Sequence, residues 1–487
     1  MNQPIRELEP QELWNHFADL NAVPRPSKKE EKVIEFMLGF GKQLGLETHK
    51  DKVGNVIIKK PATPGLEDRK TVVLQSHLDM VHQKNNDTDF DFENQGIEMY
   101  IDGDWVKAKG TTLGADNGIG VATIMAILAS KEIKHPAIEA LFTIDEETGM
   151  TGAMELDGSL ISGKILLNLD TEEDDEIDIG CAGGVDITAE AEYDEEETPA
   201  DSLAYTITVK GLQGGHSGMD IHKGLGNANK IMNRLLYNGF EDFGLQIAEI
   251  KGGSLRNAIP RESVAKIIIA KLYEEAFEYD IQMLVNEIRQ EFATVEPNLE
   301  ILIEASSDLP TKVMPPMAQF YVVRGLYTAH NGVYKMSPDF DDLVETSNNI
   351  AKVEIGNGKV MIQCLTRSSV ETSKYDLANA LRSAFELMGC EVDFSGAYPG
   401  WTPNPQSEIL KVAEQIYENQ HNEKPKVVAC HAGLECGILG SHFPEMDMIS
   451  FGPTIKGAHS PDERVSVSSV QKYWKYLLEI LNNIPKQ

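Results

Sequence analysis

Along the first 170 residues, short continuous apolar runs alternate with stretches whose apolar positions recur every three to four residues. Thr71–Ser76, Ile138–Ile144 and Ile165–Leu169 have the length of strands buried on both faces, and Val53–Lys59 reads as another strand. Gly118–Ser130 is apolar at helical spacing. Ser27, followed three residues later by Glu30, predicts a capping box opening an amphipathic helix to about Leu44. This alternation predicts a layered α/β domain around a mixed, largely parallel sheet.

The pattern changes after the acidic clusters Glu172–Glu176 and Asp194–Glu197, which read as solvated edge and linker. Ala204–Val209, Asn227–Leu236, Val264–Leu272 and Tyr279–Phe292 follow as strand, helix, strand and helix. A similar order recurs in Ala351–Ile355, Val360–Thr366 and Ser373–Met388, which suggests two α+β units in tandem. Beyond the Pro- and Gly-rich Gly396–Pro405, the α/β pattern resumes: Ser407 can cap a helix through Asn419, Met446–Phe451 reads as a strand, and Ser466–Ile484 as a closing helix. The economical organisation is one α/β domain (1–198 and 397–487) interrupted by an inserted two-lobed α+β domain (199–396).

Composition narrows the partners. Among 487 residues, 77 are acidic and 44 basic, a formal charge of −33. Such a chain repels phosphate backbones and anionic membranes, whereas a carboxylate-rich crevice suits divalent cations. The five cysteines are odd in number and scattered, which argues against a disulfide framework and for a reducing compartment. The polar Met1–Pro10 segment has no signal-peptide character, and the longest apolar runs fall far short of the roughly 20 residues that span a bilayer. A cytoplasmic location is expected.

The candidate chemistry lies where the apolar strands end. Thr71–Ser76 runs into His77-Leu78-Asp79, Ile138–Ile144 into Asp145-Glu146-Glu147, and Ile165–Leu169 into Asp170. Asp116 precedes a helix in Gly114-Ala115-Asp116-Asn117-Gly118, and His459 follows the Met446–Phe451 strand. Ligands of open α/β sheets bind beyond the carboxyl ends of the strands. Taken singly, a strand-end His or Asp is more often a capping or surface group; five in one crevice point to metal. In His77-x-Asp79 the two side chains share a face, so Asp79 suits the role of orienting the imidazole. Glu146 and Glu147 can serve one site only where the strand yields to a loop, one as ligand and the other as base. Gly214-Gly215-His216-Ser217-Gly218 lacks the Walker spacing and lysine of a phosphate loop.

These segments, together with Arg256-Asn257-Ala258-Ile259-Pro260 and His431-Ala432-Gly433-Leu434-Glu435-Cys436-Gly437, occur in the order seen in the di-zinc metallopeptidases related to glutamate carboxypeptidase and aminoacylase, which the chain resembles nearly end to end. The resemblance implies two Zn2+ per subunit, with Co2+ or Mn2+ as substitutes: His77 and Asp170 on one, Glu147 and His459 on the other, and Asp116 bridging. It implies Glu146 as general base, Asp79 as partner of His77, and His216 as donor to the oxyanion. Asn257, Arg367 and Gly433 would hold the substrate's C-terminal carboxylate and carbonyl. The implied activity is hydrolysis of dipeptides, Xaa-His and β-Ala-His included. An N-acyl-amino-acid deacylase or carboxypeptidase is the enzymatic alternative, and a metal- or peptide-binding protein the non-catalytic one. In relatives with a short lid the oxyanion histidine comes from a second subunit. Here the long insertion is expected to supply it within one chain, even in a homodimer.

Overall fold

The computed structural model describes residues 2–85 and 87–487, which form two compact units. The first comprises residues up to 180 with 403–429 and 435–487; the second comprises 181–402 with 430–434. The division falls earlier than the 198/199 junction expected from composition, because the strand beginning at Gly183 already pairs within the second unit's sheet.

Following the chain, α1 (Gln11–Leu20) and α2 (Glu31–Gln43) precede β1 (Glu47–Lys50), β2 (Val56–Lys60) and β3 (Val72–His77). Then come α3 (Ala115–Ala129), β4 (Ile138–Thr143), β5 (Ile165–Asn168) and β6 (Glu176–Cys181). The expected capping box at Ser27 does not form. Glu30 itself is the N-cap residue of α2, and the Ser27 hydroxyl donates instead to Asp79 Oδ2 and the Met80 carbonyl. Likewise β2 starts three residues later than expected, since the amides of Val53, Gly54 and Asn55 are taken by Asp51 Oδ1. The acidic run 172–176 is not a linker. It belongs to the first unit, where Glu173, Asp174 and Asp175 pair with Lys456, Lys472 and Lys426.

In the second unit, β7 (Gly183–Glu192) is followed by β8 (Ser202–Lys210), α4 (Ala228–Phe243), β9 (Gln246–Gly252), β10 (Ser263–Ala270), α5 (Glu274–Phe292) and β11 (Glu300–Ser306). α6 (Pro316–Thr328), β12 (Val344–Gly356), β13 (Lys359–Ser368), α7 (Glu371–Leu387) and β14 (Glu391–Tyr398) complete it. One antiparallel sheet runs β11-β8-β10-β9-β12-β13-β7-β14. Each half is strand–helix–strand–strand–helix–strand with the same internal order, and the halves meet edge to edge where Ile250 pairs with Ile355. The repeat is nested rather than tandem: the first half, β8 to β11, is inserted between β7 and α6 of the second. Alternation along β8 turns Tyr205, Ile207 and Val209 inward onto Leu235, Ile267 and Phe277.

Returning to the first unit, α8 (Glu408–His421), β15 (Lys426–Cys430), α9 (Glu435–His442), β16 (Asp447–Ser450) and α10 (Val467–Asn482) close the chain. Ser407 caps α8 as expected, and Ser466, read as the first residue of the closing helix, caps α10 instead; they accept from the amides of Leu410 and Ser469. The sheet runs β1-β2-β4-β3-β5-β16-β6-β15, with β4, β3, β5 and β16 parallel at its centre and antiparallel pairs at β1–β2, β2–β4 and β16–β6. β3 and β4 are buried throughout, as parallel strands covered on both faces must be. α3 is apolar all round and almost wholly buried against β3 and α1, which fixes its first turn beside the strand ends. Among the described residues, no helix is long and apolar enough to cross a membrane.

Candidate active site

β3 ends in His77, β4 gives way to Asp145-Glu146-Glu147, β5 gives way to Asp170, and His459 lies in the loop after β16. Asp116 stands at the start of α3 with non-helical backbone angles, and the peptide bond that follows it is cis. Each of its oxygens faces a different imidazole: Oδ1 is 3.1 Å from His77 Nε2, and Oδ2 is 3.2 Å from His459 Nε2. His77 Nε2 is also 3.6 Å from Asp170 Oδ1, and His459 Nε2 is 3.1 Å from Glu147 Oε2. Five side chains thus form two triads sharing Asp116, with the donor atoms of each triad within 4.8 Å of one another. Glu146 joins His77 and Glu147 in a third such group.

The local chain explains how adjacent acids reach one place. Asp145 adopts φ +57°, turning the strand sharply into the short helix Glu146–Gly149. Its carboxylate is held by Lys28 Nζ at 2.5 Å and by the hydroxyls of Thr148 and Thr151. Asp79 ties this turn to His77. Its Oδ1 lies 3.4 Å from His77 Nδ1 and accepts from the Glu146 amide, while Oδ2 accepts from the amide of Glu147 and from Ser27. The His77 ring is therefore oriented from behind, with Nε2 left facing Asp116 and Asp170.

Charge at the site is unbalanced. Burial disfavours a proton on His77, yet Asp170, Asp116 and Asp79 hold its pKa well above the ordinary value. His459, bonded to Asp116 and Glu147, is pushed up to about 11. Burial raises Glu146 well above the carboxylate range; His77 opposes this, while Asp170, Glu435 and Glu147 reinforce it. Glu147 Oε1 and Asp170 Oδ1 are buried and accept no hydrogen bond, a costly state for a carboxylate unless a cation compensates. Two imidazoles and three carboxylates form a nitrogen and oxygen donor set that fits a pair of divalent first-row cations.

The second unit assembles a different group. His216 Nδ1 accepts from the amides of Gly218 and Met219, so the ring proton sits on Nε2. Burial and the neighbouring Arg367 lower the His216 pKa, keeping the ring neutral. Arg367 is buried, donating to Ser217 Oγ at 3.3 Å and Tyr398 Oη at 2.8 Å. Gly218 must be glycine, since a Cβ there would lie 1.9 Å from the His431 carbonyl. Asn257 lies exposed on its turn; its carbonyl accepts from the Ser217 amide, and Asn349 Nδ2 clamps the flanking carbonyls of Arg256 and Ala258. Gly433 belongs to the 430–434 segment of the same unit.

Several residues of the sites escaped the sequence reading. Asn117, next to Asp116, bonds Ser76 and the Leu169 carbonyl, each immediately before another of the clustered residues. Glu435 is buried beneath the site, accepting from Gln75 and Thr143 at 2.7 Å each, and its pKa is pushed up to about 7, chiefly by burial. In the second unit Ser217 and Tyr398 accept from Arg367, while His431 bonds the Ser347 hydroxyl and has its pKa lowered by burial and by the neighbouring Arg367 and His216. All but Tyr398 lay within motifs already quoted from the sequence, and none carried a spacing that announced its contact.

Residues 73–483 match the peptidase family M20/M25/M40. The chain belongs to this family. It is 44% identical over 481 residues to the cytosol non-specific dipeptidase of Escherichia coli (strain K12), covering 99% of both chains. The crystal structure of aminoacylhistidine dipeptidase from Vibrio alginolyticus superposes with a TM-score of 0.95 at 43% identity, covering 99% of this chain and 98% of that one. A tripeptidase from Staphylococcus aureus, 16% identical with a TM-score of 0.56 over 98% and 99% of the two chains, shares the fold. The family match opens inside β3, so Ser27 and Lys28, which bond Asp79 and Asp145, lie upstream of the matched residues.

Proposed function

We propose that this M20 member is a cytoplasmic metal-dependent dipeptidase, acting on Xaa-His and β-Ala-His among other dipeptides. The observation that carries this is the pair of triads sharing Asp116, in a chain alike from end to end to enzymes named as dipeptidases. In this reading His77 and Asp170 hold one Zn2+, Glu147 and His459 the other, and Asp116 both; Co2+ and Mn2+ suit the same donors. Such a pair, when bound, supplies an acidified water and a polarised scissile carbonyl.

The chain's own groups do the rest. Glu146 takes a proton from the attacking water and hands it to the departing amine as the C–N bond breaks, for which a raised pKa is an advantage. Asp79 keeps His77 in the tautomer that presents Nε2. His216, neutral and protonated at Nε2, donates to the developing oxyanion, a contribution of about 3–4 kcal/mol for one well-placed donor. Arg367, with Asn257 and the backbone at Gly433, receives the substrate's carboxylate.

The test is Glu146→Gln in the full chain, with turnover and bound zinc measured together on a panel of β-Ala-His, Gly-His, Leu-Gly, an N-acetyl amino acid and a tripeptide. Turnover of the dipeptides should fall by about 10²–10⁴-fold with zinc content unchanged. Wild-type rates on the tripeptide or acetylated substrate that match those on dipeptides would refute the substrate class. Undiminished turnover in the variant would refute the base.

A further inference from the structure

Behind the carboxylate cluster lies a buried acid with an unusual set of partners. Glu463, only 2% exposed, accepts four successive backbone amides. Its Oε2 takes those of Leu113 and Gly114 at 2.7 and 2.9 Å, and its Oε1 those of Ala115 and Asp116 at 2.7 and 3.2 Å. A carboxylate has about four lone-pair positions, and all are filled here by one stretch of chain. Glu463 sits four residues after His459 in the same loop, anchored by its own amide to the Ser460 carbonyl.

From the other side the same stretch is gripped by Arg25, 1% exposed. Its Nη2 donates to the Gly114 carbonyl at 2.6 Å, and its Nη1 to the carbonyls of Leu78 and Asp79 at 3.1 Å each. Gly114 adopts φ +70°, and a Cβ there would stand 2.5 Å from Arg25 Nη2. One acid and one base thus lock together the backbones that carry His77, Asp116 and His459. A serine hydroxyl is enough to cap α8 and α10. A buried anion placed beside the anion of Asp116 is a costlier device, and its return is the fixed backbone of the one side chain common to both triads.

We propose that Glu463 and Arg25 are positioning residues that hold the Asp116 backbone in its bridging geometry before any cation arrives, so that they set cation affinity. The proposal rests on the ligand roles given above to the five clustered residues. The test titrates metal-stripped full-length protein with Zn2+ against a fluorescent chelator, for wild type, Asp116→Asn, Glu463→Gln and Arg25→Lys, with circular dichroism and the melting temperature of each metal-free form. Wild type should bind two Zn2+ per chain and Asp116→Asn should lose at least one. Should Asp116→Asn bind as wild type does, the ligand assignment falls, whatever the other variants show. With that control satisfied, either folded positioning variant should bind zinc at least tenfold more weakly at one site or both. Zinc affinities within threefold of wild type in both would overturn the proposal, even if both melt lower. Failure of both variants to fold would overturn it too, since the pair would then serve folding alone.

Discussion

Glu146 and Glu435 illustrate how burial tunes single residues at the strand ends. The ordinary pKa of a glutamate here is 4.5, and Glu146 lies well above it, raised by burial, opposed by His77 and raised further by charges that include Glu435. A base with a raised pKa is protonated, and idle, below that value. Activity should therefore be lost as pH falls through a point above 4.5, and kcat/KM should be full on the alkaline side. Glu435→Gln removes one of the raising charges, so it should move this acid limb to lower pH. A limb that stays in place in the variant would show that another group governs it. At this scale the sequence was legible wherever a chemical group stands at the end of an apolar run, as His77 and Asp170 do. It was silent on Arg25 and Glu463, which act on backbone carbonyls and amides. Any residue type can supply those backbone groups, so no side-chain spacing records such a contact.

At the scale of elements, α3 carries the site's geometry because it cannot shift. Ile119, Val121, Ile124, Met125 and Ile127 are at most 1% exposed, and its first turn bears Asp116 and Asn117. Ile124→Ala should destabilise the first unit by about 2–5 kcal/mol in denaturant unfolding, the usual cost of an aliphatic cavity. A loss below 1 kcal/mol would mean that the helix can settle into the space. Strands β3, β4 and β5 were readable to within a residue or two, because doubly buried strands are mostly apolar, and single polar residues such as Gln75 and Glu139 do not break the run. The start of α2 was misread for a specific reason. Ser27 has the right spacing for a cap, but its hydroxyl is drawn to Asp79, a partner 52 positions away. That charge-assisted bond fixes the hydroxyl away from the cap position, and α2 starts only at Glu31, with Glu30 at its N-cap.

At the scale of the whole molecule, the two groups of site residues belong to different units of one chain. If their proposed roles act within that chain, then mixing an inactive Glu146→Ala protein with an inactive His216→Ala protein should restore nothing, even after prolonged incubation under exchange conditions. Recovered turnover in the mixture would show that one copy serves another. The inserted repeat was visible in outline from its recurring strand and helix pattern, but its connectivity was not. The pairing of β9 with β12 joins segments about a hundred residues apart, and no periodicity along the chain encodes which edges meet.

That arrangement orders the birth of the molecule. As the chain emerges, β8 to β11 can pair with one another once residue 306 is made, leaving only the β9 edge to await β12, whereas β7 must wait for β13 and β14, finished at residue 398. The first unit's sheet waits longer still, for β16 at residues 447–450 and for His459 beyond it. Synthesis therefore completes the inserted segments before the ones that flank them in the sequence, and the carboxylates gathered at the strand ends are the last to gain their full company.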